Sequence, residues 1–441
     1  MRLVAIAFAA GLALSGAHAD TAFPLPPPAA DADFTPADPA LVALGQLLFY
    51  DPVLSGNRNI SCATCHHPRF GTSDGLSLGL GEGGIGLGPQ RRADPANLPE
   101  QRIPRNAPAL FNLGAKEFTV LFHDGRIEVD PSRPSGLRTP LGEEMVAGFD
   151  SLLSAQTMFP VLSPDEMAGH YGENDVSTAV RQGRLTGEGG AWDIIAERVR
   201  AIPRYQSGFE AADPTIAAGR MVDFTDISDA IAAFMAFEWR SVDSPFDGYL
   251  RGENDLSPDA ARGLDLFYGA AGCAECHSGP FQTDHRFHAM GQPQLGPGKA
   301  ERFESHQKDI GRMRVTGREE DAYRFRTPSL RNVLHTGPWG HAGAHDDLGM
   351  FLRHHVDPLA GLAAYQPRVV LPPLEGVQND FAPLQAERSA IAAAVSRAPV
   401  VLHDDDVAAL LAFLDALSDP VALRGRLGIP RNVPSGLPVE R

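Results

Sequence analysis

Cysteine is nearly absent: the 441-residue chain has four, and all of them fall in two copies of one five-residue pattern. None is left over for a disulfide. Positive charge is short as well. Lys and Arg number 38 against 55 Asp and Glu, a formal charge of −17. A balance that acidic argues against nucleic acid and favours basic or neutral partners. Long apolar runs are missing too, since beyond the N-terminus no stretch could cross a bilayer as a helix. The first twenty residues, MRLVAIAFAAGLALSGAHAD, carry one Arg, an apolar run and Ala17-His18-Ala19 ahead of Asp20. They read as a secretory signal over residues 1–19, with no cysteine to make a lipoprotein. The expectation is an exported, soluble mature chain. Glycine (45) and proline (37) are plentiful, which predicts that much of the chain is loop.

The stretch from Leu44 to His66, LGQLLFYDPVLSGNRNISCATCH, ends in Cys62-Ala63-Thr64-Cys65-His66. The pattern returns as Cys273-Ala274-Glu275-Cys276-His277. Two thiols three residues apart can each add to a vinyl group of one haem, and the histidine behind them then reaches the iron from the proximal side. A zinc site or a thioredoxin-like redox pair would use the same cysteines. Zinc wants the two pairs close together, and neither alternative needs a histidine after both second cysteines. The reading is two covalently bound c-type haems, attached at Cys62, Cys65, Cys273 and Cys276, with His66 and His277 as proximal ligands. Haem attachment outside the cytoplasm agrees with export.

Each motif is led in by a similar helix. Asp38 caps and Pro39 opens one that runs to about Tyr50, with Leu41, Leu44 and Leu48 on one face. Ser257 and Pro258 open another, and Gly263-x-x-Leu266-Phe267-Tyr268 repeats Gly45-x-x-Leu48-Phe49-Tyr50. The repeat predicts an internal duplication. The fold class is mainly α, with two tandem cytochrome c-like haem domains and long loops, one domain over 20–243 and the other over 244–441. Further helices are predicted at Ala191–Arg200 and Asp226–Val242, the latter with Ile227, Ile231, Phe234 and Glu238 at helical spacing on a core face. Asp404-Asp405-Asp406 caps a closing helix with Val407, Leu410, Leu411, Leu414 and Leu417 on one face. Residues 20–37 read as an extended arm and 356–402 as a Pro- and Ala-rich insertion. Gly75 to Gly88, GLSLGLGEGGIGLG, has no strand before it and no Lys-Ser/Thr after it, so it is no phosphate cradle. A flexible loop passing close to a haem is expected there.

Between and beyond the haem motifs the chain carries PRNAPALFN, FHDGR, PDEM and FRTPSLRNVLHTGPWGHAG, in that order. Together with the Leu44–His66 stretch these resemble the bacterial di-haem cytochrome c peroxidase family, which includes the MauG-type enzymes. The likeness covers residues 39–355 and the last helix, with insertions. It implies two c-type haems with a calcium ion between them and a periplasmic location. It also implies reaction with hydrogen peroxide at the N-terminal haem and electrons arriving at the C-terminal one from a small c-type cytochrome or a cupredoxin. By the same resemblance Glu166, before Met167, is the catalytic acid–base, taking a proton from one peroxide oxygen and delivering it to the leaving one. The plain alternative is a solvated loop acid. Gln156 falls at the family's pocket glutamine. Calcium would be held by Asn106 and by the backbone carbonyls of Thr336 and Pro338, an all-oxygen set that suits a hard cation. A homodimer stays open.

Three positions depart from the family pattern. His123 stands where the family has the Trp of a W-D-G-R run, and imidazole carries a hole less well than indole. Glu82 aligns with the loop histidine that caps the resting N-terminal haem, which predicts a haem already open as isolated. His355 takes the place of the Met or Tyr that is the distal ligand of the C-terminal haem. Adjacent helical residues point about 100° apart, so His354 would face elsewhere, and Met350 is the other competitor. His67, His285, His288, His341 and His345 read as propionate partners or turn caps. The spacing of His341 and His345 suits a metal pair, but Gly343 between them argues against a helix. The leading reading is an exported peroxidase reducing hydrogen peroxide to water. The alternatives are a MauG-type oxidase modifying a partner protein and a plain electron-transfer cytochrome, and Glu166 with Gln156 speaks against the last.

Overall fold

Two helices that open on proline set the frame. The computed structural model describes residues 23–299, 306–374 and 379–441. In it Asp38 accepts the Ala40 amide at the head of Pro39–Phe49, and Ser257 accepts that of Ala260 at the head of Pro258–Phe267. Proline costs nothing at the first helical turn, where its missing N–H would go unbonded anyway. The first helix packs on Phe224–Glu238 and the second on Asp404–Asp415. The two crossings match atom for atom. A Cβ on Gly45 would lie 1.8 Å from the Ala230 carbonyl oxygen and 2.9 Å from Phe234 Cβ; one on Gly263 would lie 2.0 Å from the Ala409 oxygen and 2.7 Å from Phe413 Cβ. Only glycine lets backbones approach that closely. Phe49 and Tyr50 then pack on Phe234, as Phe267 and Tyr268 pack on Phe413. The helix over 224–238, capped at Asp223 and ending four residues short of the expected Val242, is thus the first copy's counterpart of the closing helix.

Strands are few and short. Gly84–Ile85 pairs with Arg92–Ala93, Val120–Leu121 with Ile127–Val129 and then Leu137–Arg138, and Phe287–His288 with Phe325–Arg326, all antiparallel. Two large apolar cores form around Phe49, Phe234 and Trp239 and around Phe267, Leu410 and Phe413. A third, smaller one joins Leu78, Leu295, Ala342, Ala344, Tyr365 and Leu384. This third core corrects the expectation of a flexible glycine loop. Leu76, Leu78 and Leu80 are buried, and Ser77 exchanges hydrogen bonds with Val370 (2.8 and 2.9 Å). The described part of the 356–402 segment, which covers the loop, includes the helices Pro358–Ala364 and Ala382–Ala394.

The chain ends cross between the halves. The Phe23 amide donates to Tyr268 O (3.0 Å) and the Ala29 amide to the buried Asp247 (3.0 Å). At the other end Leu427 and Gly428 donate to Glu238 (2.7 and 2.8 Å), and Ser435 Oγ donates to Asp51 (2.6 Å). The sequence places Glu238 on a core face, and a buried carboxylate needs such donors. Among the described residues no helix is long and apolar enough to cross a membrane. The signal read over residues 1–19 lies outside the described residues.

Candidate active site

The two haem motifs fold alike. Cys62–Cys65 is one helical turn whose first carbonyl accepts the His66 amide (3.0 Å), and Cys273 O accepts that of His277 (2.9 Å). His66 Nδ1 donates to Thr72 O and His277 Nδ1 to Gln282 O, each at 3.0 Å. Both acceptors sit at positive φ, 62° and 47°, which turns the carbonyl back toward the ring. A committed Nδ1 leaves Nε2 as the metal-binding lone pair. Burial lowers the pKa of both rings, His277 to about 4, so both stay neutral. Burial also pushes the thiols of Cys62, Cys65 and Cys273 up to about 12.

Each motif opens on a cavity. Cys62, Cys65 and His66 line one of ≈ 140 Å³, and Cys273, Cys276 and His277 line one of ≈ 270 Å³. The two share a wall made of Asn106, Pro108, Phe122, His123 and Gln156. Across the larger cavity His355, from the helix Leu348–Val356, faces His277 with ring centroids 6.2 Å apart. Two imidazoles on one metal atom put their centroids about 6 Å apart, from about 2 Å per metal–nitrogen bond and ~1 Å from nitrogen to ring centre. The spacing fits a haem iron between them. Burial, and then His277, lower the His355 pKa to about 3, which keeps it neutral. His354 points away, donating Nε2 to Gly291 O (2.9 Å) beside the His345 ring, and Met350 is exposed with its sulfur at Arg368.

Glu166 and Gln156 face the smaller cavity. Glu166 rides a π-helical turn, Pro164–Ala168, in which the amides of Glu166, Met167 and Ala168 all converge on Ser163 O (3.2, 3.0 and 2.9 Å). Such turns are rare and recur at functional sites. The glycine loop lies against this turn: a Cβ on Gly81 would come 2.2 Å from Asp165 O, and the Glu82 amide donates to that same oxygen (3.0 Å). Burial raises the Glu166 pKa, Lys299 and Arg126 pull it back, and Asp165 pushes it up. Gln156 lies in the last turn of the short helix Leu152–Thr157, and its buried Oε1 has no hydrogen-bond partner among the described residues. An amide oxygen left open beside the cavity suits a small polar ligand.

The departures resolve differently. Glu82 is buried and accepts the side-chain amides of Asn57, Asn59 and Asn97 (3.0, 2.8 and 3.0 Å) on one oxygen. It does not line the haem cavity, so it is a structural clasp rather than a loose ligand. His123 is a neutral ring in the shared wall, its pKa lowered by burial and then by Arg105. Asn106, Thr336 and Pro338 all line the larger cavity, Asn106 also the smaller one. His67 caps a turn by accepting the Arg69 amide (3.2 Å), while His285 and His288 pair with Glu117 and Asp284 (2.9 Å each). His341 stacks on Phe325, and His345 packs on His354 and Tyr365. Among the described residues, the one group of three His, Cys, Asp or Glu side chains close enough to share an ion is Cys276, Asp284 and His288, and that cysteine belongs to a haem motif. Sequence reasoning missed Lys299, which lines the smaller cavity from the second half of the chain.

Matched helix pairs, each carrying a thiol pair and a neutral histidine at a cavity, define a two-haem c-type protein. Residues 39–255 match the family model for di-haem cytochrome c peroxidase. The chain is 31% identical over 324 residues to the methylamine utilization protein MauG of Methylorubrum extorquens, covering 73% of this chain and 70% of that one. It is 32% identical over 311 residues to the cytochrome c peroxidase Ccp of Escherichia coli, covering 70% of this chain and 51% of that one. A MauG-like protein associated with microbial copper homeostasis superposes with a TM-score of 0.58 at 25% identity, over 90% of this chain and 95% of its own. The chain belongs to the di-haem cytochrome c peroxidase family, and it is an oxidoreductase carrying two haem c groups.

Proposed function

We propose that this protein is an exported, periplasmic di-haem peroxidase. It would reduce hydrogen peroxide to water in the smaller cavity, with electrons entering at the second haem from a small c-type cytochrome or a cupredoxin. The observation that carries the reading is the asymmetry of the two cavities. One holds the acid Glu166 and the other a second imidazole, with the open amide of Gln156 in the wall between them. A haem on Cys62 and Cys65 would supply the iron that takes up peroxide and the route for its two electrons. Glu166 accepts a proton from one peroxide oxygen and delivers it to the other, which leaves as water. Gln156 Oε1 accepts the peroxide O–H and orients it. One peroxide, two protons and two electrons give two waters.

His355 opposite His277 suits an electron relay. Two imidazoles favour ferric iron and a lower potential than a histidine–methionine pair. Asn106 with the Thr336 and Pro338 carbonyls would hold calcium at the shared wall. A MauG-type oxidase is the second reading, favoured by the identity to the Methylorubrum protein. Replacing Glu166 by Gln should keep both haems and slow peroxide-driven oxidation of reduced cytochrome c by about 10²-fold or more. Unchanged rates would remove Glu166 from the chemistry. Peroxide consumption without catalytic cytochrome oxidation would favour the oxidase.

A further inference from the structure

Lys299 enters the cavity of His66 and Glu166 from the half of the chain that carries the other haem motif. The stretch that leads to it is anchored from Leu295 to the Lys299 amide. Leu295 is fully buried in the third core with Leu78. Gly296, at φ +71°, lies where a Cβ would come 2.2 Å from Leu78 Cδ1, and Gly298, at φ +70°, where one would meet Gln307 O at 2.0 Å. Both turns need the left-handed backbone that glycine supplies. The Gly296 amide donates to Asp380 O (2.8 Å) and the Lys299 amide to Lys308 O (3.2 Å). A backbone held in this way fixes where the Lys299 side chain starts, at the edge of the cavity it lines.

The choice of residue is informative as well. Lys299 is one of three lysines among 38 basic residues, and the other cations at this cavity are Arg105 and Arg126. Arginine keeps its charge wherever it is put, whereas lysine shifts its proton affinity when buried. Arg105 is engaged by Asp124 and Asp309 (2.8 and 2.6 Å), and Arg126 by Asp124 (3.2 Å). Burial, and then Arg126, bring Lys299 down to about 8, with Glu166 and Asp124 opposing and Arg105 assisting. On Glu166, the Lys299 charge is the strongest of those favouring the carboxylate, ahead of Arg126 and against Asp165.

We propose that Lys299 is a positioning residue for the charge of Glu166: it holds the carboxylate ionised in the resting cavity, ready to take the first proton from peroxide. This rests on the reading of Glu166 as the proton shuttle. The test is the pH dependence of the second-order reaction of hydrogen peroxide with the holoprotein, followed at the Soret band. It compares wild type, Glu166→Gln, Lys299→Met and Lys299→Arg, with the reduction potential of each haem measured alongside. A positive charge near a carboxylate lowers its pKa, so its loss raises that pKa and the reactive carboxylate then appears only at higher pH. Lys299→Met should therefore move the acid limb up by about one unit or more, while Lys299→Arg leaves it in place and Glu166→Gln abolishes it. An unmoved limb in Lys299→Met overturns the proposal. If the first haem's potential shifts at the same time, the lysine serves a haem propionate instead. An acid limb that survives in Glu166→Gln refutes the shuttle itself, whatever Lys299 does. Lys299→Gln, nearer in length and polarity, replaces the Met variant should that one fail to load haem.

Discussion

Replacing Gly45 by Ala should loosen the first haem half and spare the second, and Gly263→Ala should do the reverse. The new Cβ would sit 1.8 Å from Ala230 O in one case and 2.0 Å from Ala409 O in the other. Ordinary carbon–oxygen contact is about 3.3 Å, so each helix pair must part by more than ~1 Å. Overpacking of this kind costs about 1–3 kcal/mol, and more where backbone has to move. Alanine returns up to about 1 kcal/mol in helix propensity, which leaves a net loss of up to about 2 kcal/mol, and more where backbone moves. Gly349 is the control. The nearest atoms to a Cβ there are the Asp347 carboxylate at 3.3 Å and side-chain carbons of Leu411 and Val407 at 3.7 and 3.8 Å. Gly349→Ala should fall between neutral and about 1 kcal/mol more stable. Urea unfolding of the holoprotein, followed separately at the high-spin and low-spin haem bands, reads each half. Wild-type midpoints in both variants, or a disturbance reported by the opposite haem, would refute the idea that matched glycine crossings hold the two haem turns.

Two further outcomes follow from the site geometry. His355→Ala should convert the second haem from low to high spin in optical and EPR spectra, while His354→Ala and Met350→Ala keep the low-spin signal; the opposite pattern would put the ligand on a different face of the helix. Calcium chelation by EGTA should perturb both haem spectra together, because Asn106 borders both cavities, and a holoprotein that contains no calcium by elemental analysis would end that assignment.

The proximal half of the site was legible in the sequence because its chemistry is local. A thiol pair and a histidine on one turn, and a glycine–leucine–phenylalanine–tyrosine run before it, are set by spacing within a few residues. The distal half was not legible in that way. Glu166 came from resemblance alone, and no period or cap in its neighbourhood distinguishes it from a solvated acid. The glycine loop was misread as flexible, although Leu76, Leu78 and Leu80 alternate in the manner of a one-sided buried segment. Glu82 looked like a haem-facing residue because it occupies an aligned position. Its actual partners, Asn57, Asn59 and Asn97, are fixed by how the loop folds back. Glu238 shows the same limit. Its place on an apolar helix face hinted at a buried partner, but Leu427 and Gly428 reach it from the far end of the chain.

What the duplication does not repeat is where the two halves acquire different roles. Both haem turns have the same crossing and the same histidine-to-carbonyl bond, so the proximal sides are near copies. The distal sides are each built with material from the other half. Lys299 reaches the first cavity, and Phe118, Leu121 and Gln156 line the second. The chain ends cross over in the same sense, Phe23 to Tyr268 and Leu427 to Glu238. A duplicated frame carries no asymmetry of its own, so the difference between an acid-bearing cavity and a two-imidazole cavity comes from what each half carries outside the repeat, Glu166 on the π-helical turn of the first and His355 on the helix Leu348–Val356 of the second. The glycine loop of the first half and the 294–299 loop of the second, packed together in the third core at Leu78 and Leu295, meet at the cavity of Glu166. That core is therefore the place where a change far from either haem motif would alter the chemistry of the first site while leaving its attachment intact.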